Sequence, residues 1–207
     1  MSIKHPIISV TGSSGAGTST VKHTFQQIFR RESVKAVTLE GDAFHRYNRK
    51  EMKKELEKRH AAGDATFSHF SFDANLLPEL EDCFRNYSEK GTCRYRHYIH
   101  NSNEENLYGA KSGNFTKWKK FEEPSDLLFY EGLHGAVVNE EINLARYADL
   151  KIGVVPVINL EWIQKIHRDT DSRGYSTEAV TDTILRRMHA YVPVSYTHLT
   201  LPTIDRV

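Results

Sequence analysis

Pro6-Ile7-Ile8-Ser9-Val10-Thr11-Gly12-Ser13-Ser14-Gly15-Ala16-Gly17-Thr18-Ser19 is the stretch that decides the fold. Its first half is short, β-branched and largely apolar, the pattern of a buried strand, and it stops at a Gly/Ser cluster. From Ser19, the apolar residues Val21, Phe25, Ile28 and Phe29 recur at helical spacing up to Arg30-Arg31, where positive charge suits a helix C-terminus. Strand, glycine-rich turn and helix thus arrive in the order of a phosphate loop, with Gly12 and Gly17 at the required spacing and Ser19 as the hydroxyl. Glycines let backbone N–H groups converge on phosphate oxygens, the helix N-terminus adds positive potential, and a hydroxyl can ligate Mg²⁺. Gly12, Ser13, Ser14, Gly15, Ala16, Gly17, Thr18, Ser19 and Thr20 are the expected nucleotide cradle; the plainer reading is a glycine-rich turn without a ligand. Thr18 stands where the pattern has Lys, so the cation for the β- and γ-phosphates must come from another segment.

Outward from this stretch, strand-like and helix-like runs alternate. Ala36-Val37-Thr38-Leu39, Leu127-Leu128-Phe129-Tyr130 and Leu150-Lys151-Ile152-Gly153-Val154-Val155 read as further buried strands, the last two each followed by a helical pattern. Residues 49–60 carry mixed charge with few apolar positions, a solvated helix. Leu76, Leu77, Leu80, Phe84 and Tyr87 mark an amphipathic helix, and residues 100–126 read as a long surface excursion without regular structure. The alternation predicts one α/β domain with a mostly parallel sheet covered by helices on both faces, and ligands at the carboxyl ends of its strands.

Those ends carry charged residues. Asp42, in Glu40-Gly41-Asp42, is placed to accept a proton from an attacking hydroxyl, or else is a helix N-cap; His45, Arg46 and Arg49 beside it suit an anionic substrate. Glu131 ends the strand beginning at Leu127, as expected of a carboxylate that serves Mg²⁺, or is a structural acid. His134 alone is ambiguous. Lys165-Ile166-His167-Arg168-Asp169 with Arg173-Gly174 reads as a charged stretch between a helix from Asn159 and another from about Thr177. It could bring over the phosphates the cation that the loop lacks, or it could be a solvated charge run.

Composition bounds the rest. The chain has 207 residues, 39% hydrophobic and 27% charged, which suits one globular domain, and a formal net charge of +1, which gives no field for non-specific nucleic-acid binding. The apolar run at residues 7–10 is too short to span a membrane and no secretion signal precedes it, so a cytoplasmic location is expected. Cys83 and Cys93 are expected to be plain buried thiols.

Together the segments 6–24, 40–45, 65–71 (Ala-Thr-Phe-Ser-His-Phe-Ser), 129–138 and 148–169 resemble the bacterial branch of the phosphoribulokinases, whose phosphate loop also lacks Lys. The resemblance runs on to Val192. It implies a P-loop kinase fold and transfer of a phosphoryl group from ATP, with Mg²⁺, to ribulose 5-phosphate. It further implies Asp42 as catalytic base, with Asp169 and Lys165 also catalytic, and Ser19, Glu131 and Asp169 serving the metal. His45, Arg49, His100, Arg168 and Arg173 would grip the sugar phosphate. Homo-oligomers and control by NADH and AMP are likewise implied, with Arg31 part of that control. The phosphate loop and Asp42 alone would also suit a uridine-kinase-like enzyme or a non-catalytic nucleotide-binding module. From Pro193 the chain reads Pro-Val-Ser-Tyr-Thr-His-Leu-Thr-Leu-Pro-Thr, unlike the family and like translated sequencing-adapter read-through. The expected domain is therefore 1–192, incomplete at its C-terminus, with 193–207 a foreign tail.

Overall fold

A computed structural model describes residues 5–64, 66–121 and 123–196. Among these, the chain runs β1 (Ile7–Gly12), α1 (Thr18–Arg31), β2 (Ala36–Glu40), α2 (Arg49–Ala61), α3 (Leu77–Lys90), β3 (Arg94–Tyr95), α4 (Ser102–Tyr108), β4 (Lys119–Lys120), β5 (Leu127–Gly132), β6 (Leu150–Val154), α5 (Ile158–Arg173) and α6 (Thr177–Tyr196). The main sheet has the order β2-β5-β1-β6 with every pairing parallel, while β3 and β4 form a separate antiparallel pair. No helix of the described residues is long and apolar enough to cross a membrane.

Period-two alternation along the strands feeds two cores. Ile8, Val10, Phe129, Ile152 and Val154 meet Val21, Phe25 and Phe29 of α1 on one face of the sheet. Ile7, Leu39, Leu128 and Tyr130 meet Leu77, Leu80, Phe84 and Tyr87 of α3 on the other. Ring pairs lock both layers, Phe25 to Phe129 at 5.2 Å and Phe84 to Tyr130 at 5.3 Å between centroids. Pairs of this kind add about 0.5–1.5 kcal/mol beyond the area they bury.

Tyr130 also determines how closely the strand ends approach. Its phenol, fully buried and pushed up in pKa by that burial, bonds to the main chain of His134. A Cβ at Gly41 would stand 2.5 Å from the Tyr130 hydroxyl oxygen, one at Gly132 2.6 Å from it, and one at Gly135 2.5 Å from the ring. The ends of β2 and β5 thus meet backbone to backbone above one aromatic ring.

Five sequence expectations are corrected. Residues 165–174 do not connect two helices: α5 runs unbroken to Arg173 and stops at the left-handed Gly174 (φ 71°). The excursion at 100–126 contains α4, capped by the Asn101 side chain, and β4, which pairs with β3. β5 is followed by a loop and a short 3-10 turn, Leu144–Arg146, instead of an α-helix, and β6 is an edge strand with Leu150 45% exposed instead of a buried one. Cys83 and Cys93 are buried as expected but form a disulfide, with Cα atoms 4.8 Å apart; left-handed Gly91 ends α3 and turns the chain back so that the two residues meet. Of the expected tail, residues 193–196 continue α6, and 197–207 lie outside the described residues, as does Ala65.

Candidate active site

The phosphate loop joins β1 to α1 with Gly15 and Gly17 in left-handed conformations (φ 105° and 98°), which L side chains rarely adopt. A Cβ at Gly12 would stand 2.7 Å from the carbonyl oxygen of Val154, so a larger residue there would push β6 away. α1 starts at Gly17 with no side-chain cap and no acidic residue in its first turn. Its orphan N–H groups and positive dipole end are thus left to an external anion, which fits a nucleotide phosphate.

Strand register gathers carboxylates beside the loop. Glu131 lies opposite Val10 on β1 and opposite Glu40 on β2. Its Oε1 accepts from Thr18 Oγ1 at 2.5 Å, while Lys22 Nζ lies 3.7 Å from Oε2 and 2.7 Å from Glu40. Burial raises the Glu131 pKa above its ordinary value despite Thr18 and Lys22. Burial also opposes the Lys22 charge, but Glu40 and then Glu131 outweigh it and hold that pKa up. A carboxylate beside a hydroxyl fits Mg²⁺, which takes few protein ligands and completes its shell with substrate phosphates and water. Ser19, the hydroxyl expected at the metal, is exposed at the start of α1; the hydroxyl that touches Glu131 is Thr18's.

α5 packs across the loop. Ser13 Oγ donates to Glu161 Oε1 at 2.5 Å and Arg168 Nη2 donates to Ser14 Oγ at 3.1 Å. Asp169, only 5% exposed, is the hub of this helix: Lys165 Nζ at 2.9 Å, Arg168 Nε at 2.9 Å and Arg173 Nη1 at 3.2 Å converge on its two oxygens. Burial alone would raise its pKa, but the hydrogen bonds and charges of Arg168 and Lys165 hold it below the ordinary value. The expected basic residues are thus gathered, with Asp169 occupied by them and Glu131 by Thr18 and Lys22.

The third cluster stands on the 3-10 turn Gly41–Phe44 after β2. Asp42 Oδ1 lies 3.2 Å from His45 Nε2 and Oδ2 lies 3.5 Å from His100 Nε2. Asn75 Nδ2 donates to the carbonyls of His69 and Ser71, so its Oδ1, 2.8 Å from His45 Nδ1, is an acceptor. With an acceptor at each ring nitrogen, His45 is the imidazolium and Asp42 the carboxylate. The pKa directions agree: burial opposes each charge, and each partner overrides it, lowering Asp42 and raising His45. Arg49, first residue of α2 behind the Asn48–Glu51 capping box, donates to Ser112 Oγ (3.2 Å) and to the His100 carbonyl (3.0 Å). Burial raises the pKa of the Tyr98 phenol, which also bonds Arg49. His134 is buried, its ring 5.8 Å from that of Phe72.

Sequence reasoning missed Lys22, Glu161 and Asn75. Two of them had a signal. Lys22 falls one turn after Thr18 on the same face of α1, and Glu161, Lys165, Asp169 and Arg173 recur every four residues, the spacing of one helix face.

A parallel sheet, a phosphate loop at the end of its first strand and acids at the neighbouring strand ends define the class of P-loop nucleotide-binding folds. The pattern of the phosphoribulokinase / uridine kinase family matches residues 7–206. The chain belongs to that family. It is 72% identical over 192 residues to phosphoribulokinase 1 of Cereibacter sphaeroides, covering 93% of this chain and 66% of the relative. It is 64% identical over 189 residues to the phosphoribulokinase of Nitrobacter vulgaris, covering 91% and 65%. Among solved structures, phosphoribulokinase from Rhodobacter spheroides superposes with a TM-score of 0.80 at 68% identity, over 94% of this chain and 67% of that one. The chain therefore spans about two thirds of the length of the curated relatives it matches.

Glu131→Gln keeps the shape of the side chain and removes its charge. Turnover with Mg-ATP is expected to fall and the Mg²⁺ requirement to rise while the fold is retained, because burial already disfavours the charge that Gln removes and the amide can still accept from Thr18. A Mg²⁺ titration identical to that of the unaltered chain would remove Glu131 from the site.

Proposed function

We propose that the chain transfers the γ-phosphoryl group of ATP to ribulose 5-phosphate, giving ribulose 1,5-bisphosphate. The observation that carries this reading is the Asp42–His45 ion pair beside the phosphate loop, with His100 and Arg49 around it. An ionised carboxylate among cations suits a phosphorylated alcohol, since the acid can take the hydroxyl proton and the cations can take the phosphate. In this reading Asp42 is the base; His45, Arg49, His100, Arg168 and Arg173 grip the sugar phosphate; Lys165 supplies the cation absent at Thr18. Residues 12–20 cradle ATP, and Ser19, Glu131 and Asp169 serve Mg²⁺, which neutralises charge on the transferring group. The reading extends to homo-oligomers under NADH and AMP control involving Arg31, and to 193–207 as a foreign tail; the Cereibacter sphaeroides relative matches over 192 residues, while the family pattern runs to residue 206.

The test is coupled ADP release with ribulose 5-phosphate, uridine and pantothenate in parallel. Turnover with the sugar phosphate alone supports the proposal. Preference for uridine points to a nucleoside kinase, and ATP hydrolysis indifferent to all three points to a binding module. Within the proposal, Arg49→Ala is expected to raise KM for ribulose 5-phosphate about 10- to 100-fold, the value of a charge-assisted phosphate contact, and KM for ATP much less. Equal effects on both substrates would contradict its role.

A further inference from the structure

Arg96, just after β3, has no assigned role above. Its guanidinium lies beneath the Asp42 turn, where Nε donates to the Ala43 carbonyl at 2.8 Å and Nη2 to the His45 carbonyl at 2.7 Å. The Phe115 ring lies 3.6 Å from its Cζ and the Trp118 ring 4.6 Å, and Trp118 in turn meets Phe44 edge-on at 5.6 Å. Among the described residues no carboxylate pairs with it; Glu79 and Glu51 act only at a distance, and burial brings its pKa down to about 10. A cation held by two carbonyls and two rings gains little of the Coulomb energy that usually offsets its burial, so its place is explained by the geometry it imposes.

We propose that Arg96 is a positioning residue for phosphoryl transfer: its fork fixes the main chain on both sides of Phe44 and so sets Asp42 and His45 against Tyr98 and His100, which stand on the same strand-to-α4 segment as Arg96. A planar five-donor fork can hold two carbonyls at once, which the point charge of a Lys cannot. Besides Asn75, the titratable and charged groups that face His45 are Asp42 on its own turn, His69 with ring centroids 5.6 Å apart, Tyr98 at 6.2 Å, and Arg96, whose charge opposes His45 protonation. The kinetic half of the proposal rests on the reading given under Proposed function; the titration half does not.

Two variants test it, Arg96→Lys, which keeps the charge, and Arg96→Met, which keeps the stem between the rings. Both are expected to lower kcat for ribulose 5-phosphate by about 10- to 100-fold, the scale of a misplaced reacting group, with KM for ATP within a few-fold. The His45 ring, followed by NMR, should titrate at lower pH in Arg96→Lys, where the charge that opposes its protonation is kept while the displaced turn loosens the Asp42 contact that holds its proton. Should unaltered protein fail to phosphorylate ribulose 5-phosphate, the functional reading falls, and the His45 midpoints alone decide on Arg96. An unmoved midpoint in Arg96→Lys overturns the proposal, as does activity lost only in proportion to unfolded protein, or unfolding of both variants, since Arg96 would then serve the fold alone.

Discussion

Asp42→Asn is expected to lower kcat by about 100- to 10,000-fold, the contribution of a positioned base, while KM for ATP and for ribulose 5-phosphate stays within a few-fold. Asn keeps the size and one acceptor, so the His45 and His100 contacts can re-form, but it cannot take a proton. The expected loss is large because among the described residues no second carboxylate pairs with His45: Asp169 is tied to Lys165, Arg168 and Arg173, and Glu131 to Thr18 and Lys22. Asp169 is the rival base, and metal dependence separates the two. Asp169→Asn should shift the Mg²⁺ requirement and Asp42→Asn should not. Near-normal kcat in Asp42→Asn, or a shifted Mg²⁺ requirement there, moves the assignment to Asp169.

Asp169→Asn should also cost stability at neutral pH. Removing one member of a buried ion cluster leaves the others uncompensated, at about 3–5 kcal/mol; Lys165 is only 4% exposed and three cations would be left crowding a neutral amide. The pH dependence has a definite sign. The folded pKa of Asp169 lies below its ordinary value of 3.8, so its contribution is complete above that value and disappears as pH falls through the folded pKa. Urea unfolding at pH 7, 5 and 3 should give a gap between the two proteins that is constant from pH 7 to 5 and smaller at pH 3. A gap of the same size at every pH would show that shape, not charge, accounts for the loss.

The sheet and its phosphate loop were legible because both are written locally: a β-branched run, glycines at fixed spacing and a 3.6-residue period each concern a few neighbours. α5 was misread where its sequence turned polar. Lys165, Arg168 and Asp169 look solvated in the chain, yet Lys165 and Asp169 are buried because they neutralise one another, a pairing that local hydropathy does not register. The four-residue recurrence from Glu161 to Arg173 was the clue that outweighs it. Asn75 and Arg96 were beyond reach for another reason: each acts on the Asp42 turn across a gap of 30 residues or more, through contacts that only the folded chain creates. Cys83 and Cys93 were judged by count and spacing, whereas the turn at Gly91 brings them together.

The phenol of Tyr130 with its three surrounding glycines gives the crevice a floor of main chain on main chain. Such a floor has no rotamers to relax into, so the bases of Asp42 and Glu131 shift only as far as the sheet itself vibrates. The walls are different: α5 meets the phosphate loop through Glu161 and Arg168, and the 95–120 region meets the Asp42 turn through Arg96, side chains that can be replaced without moving the floor. In the proposed reaction, which alcohol is accepted then becomes a property of replaceable walls. On the proposed reading, the spacing between Asp42 and the phosphate cradle is cast once, in the floor, and would be inherited unchanged by any descendant that took a different acceptor.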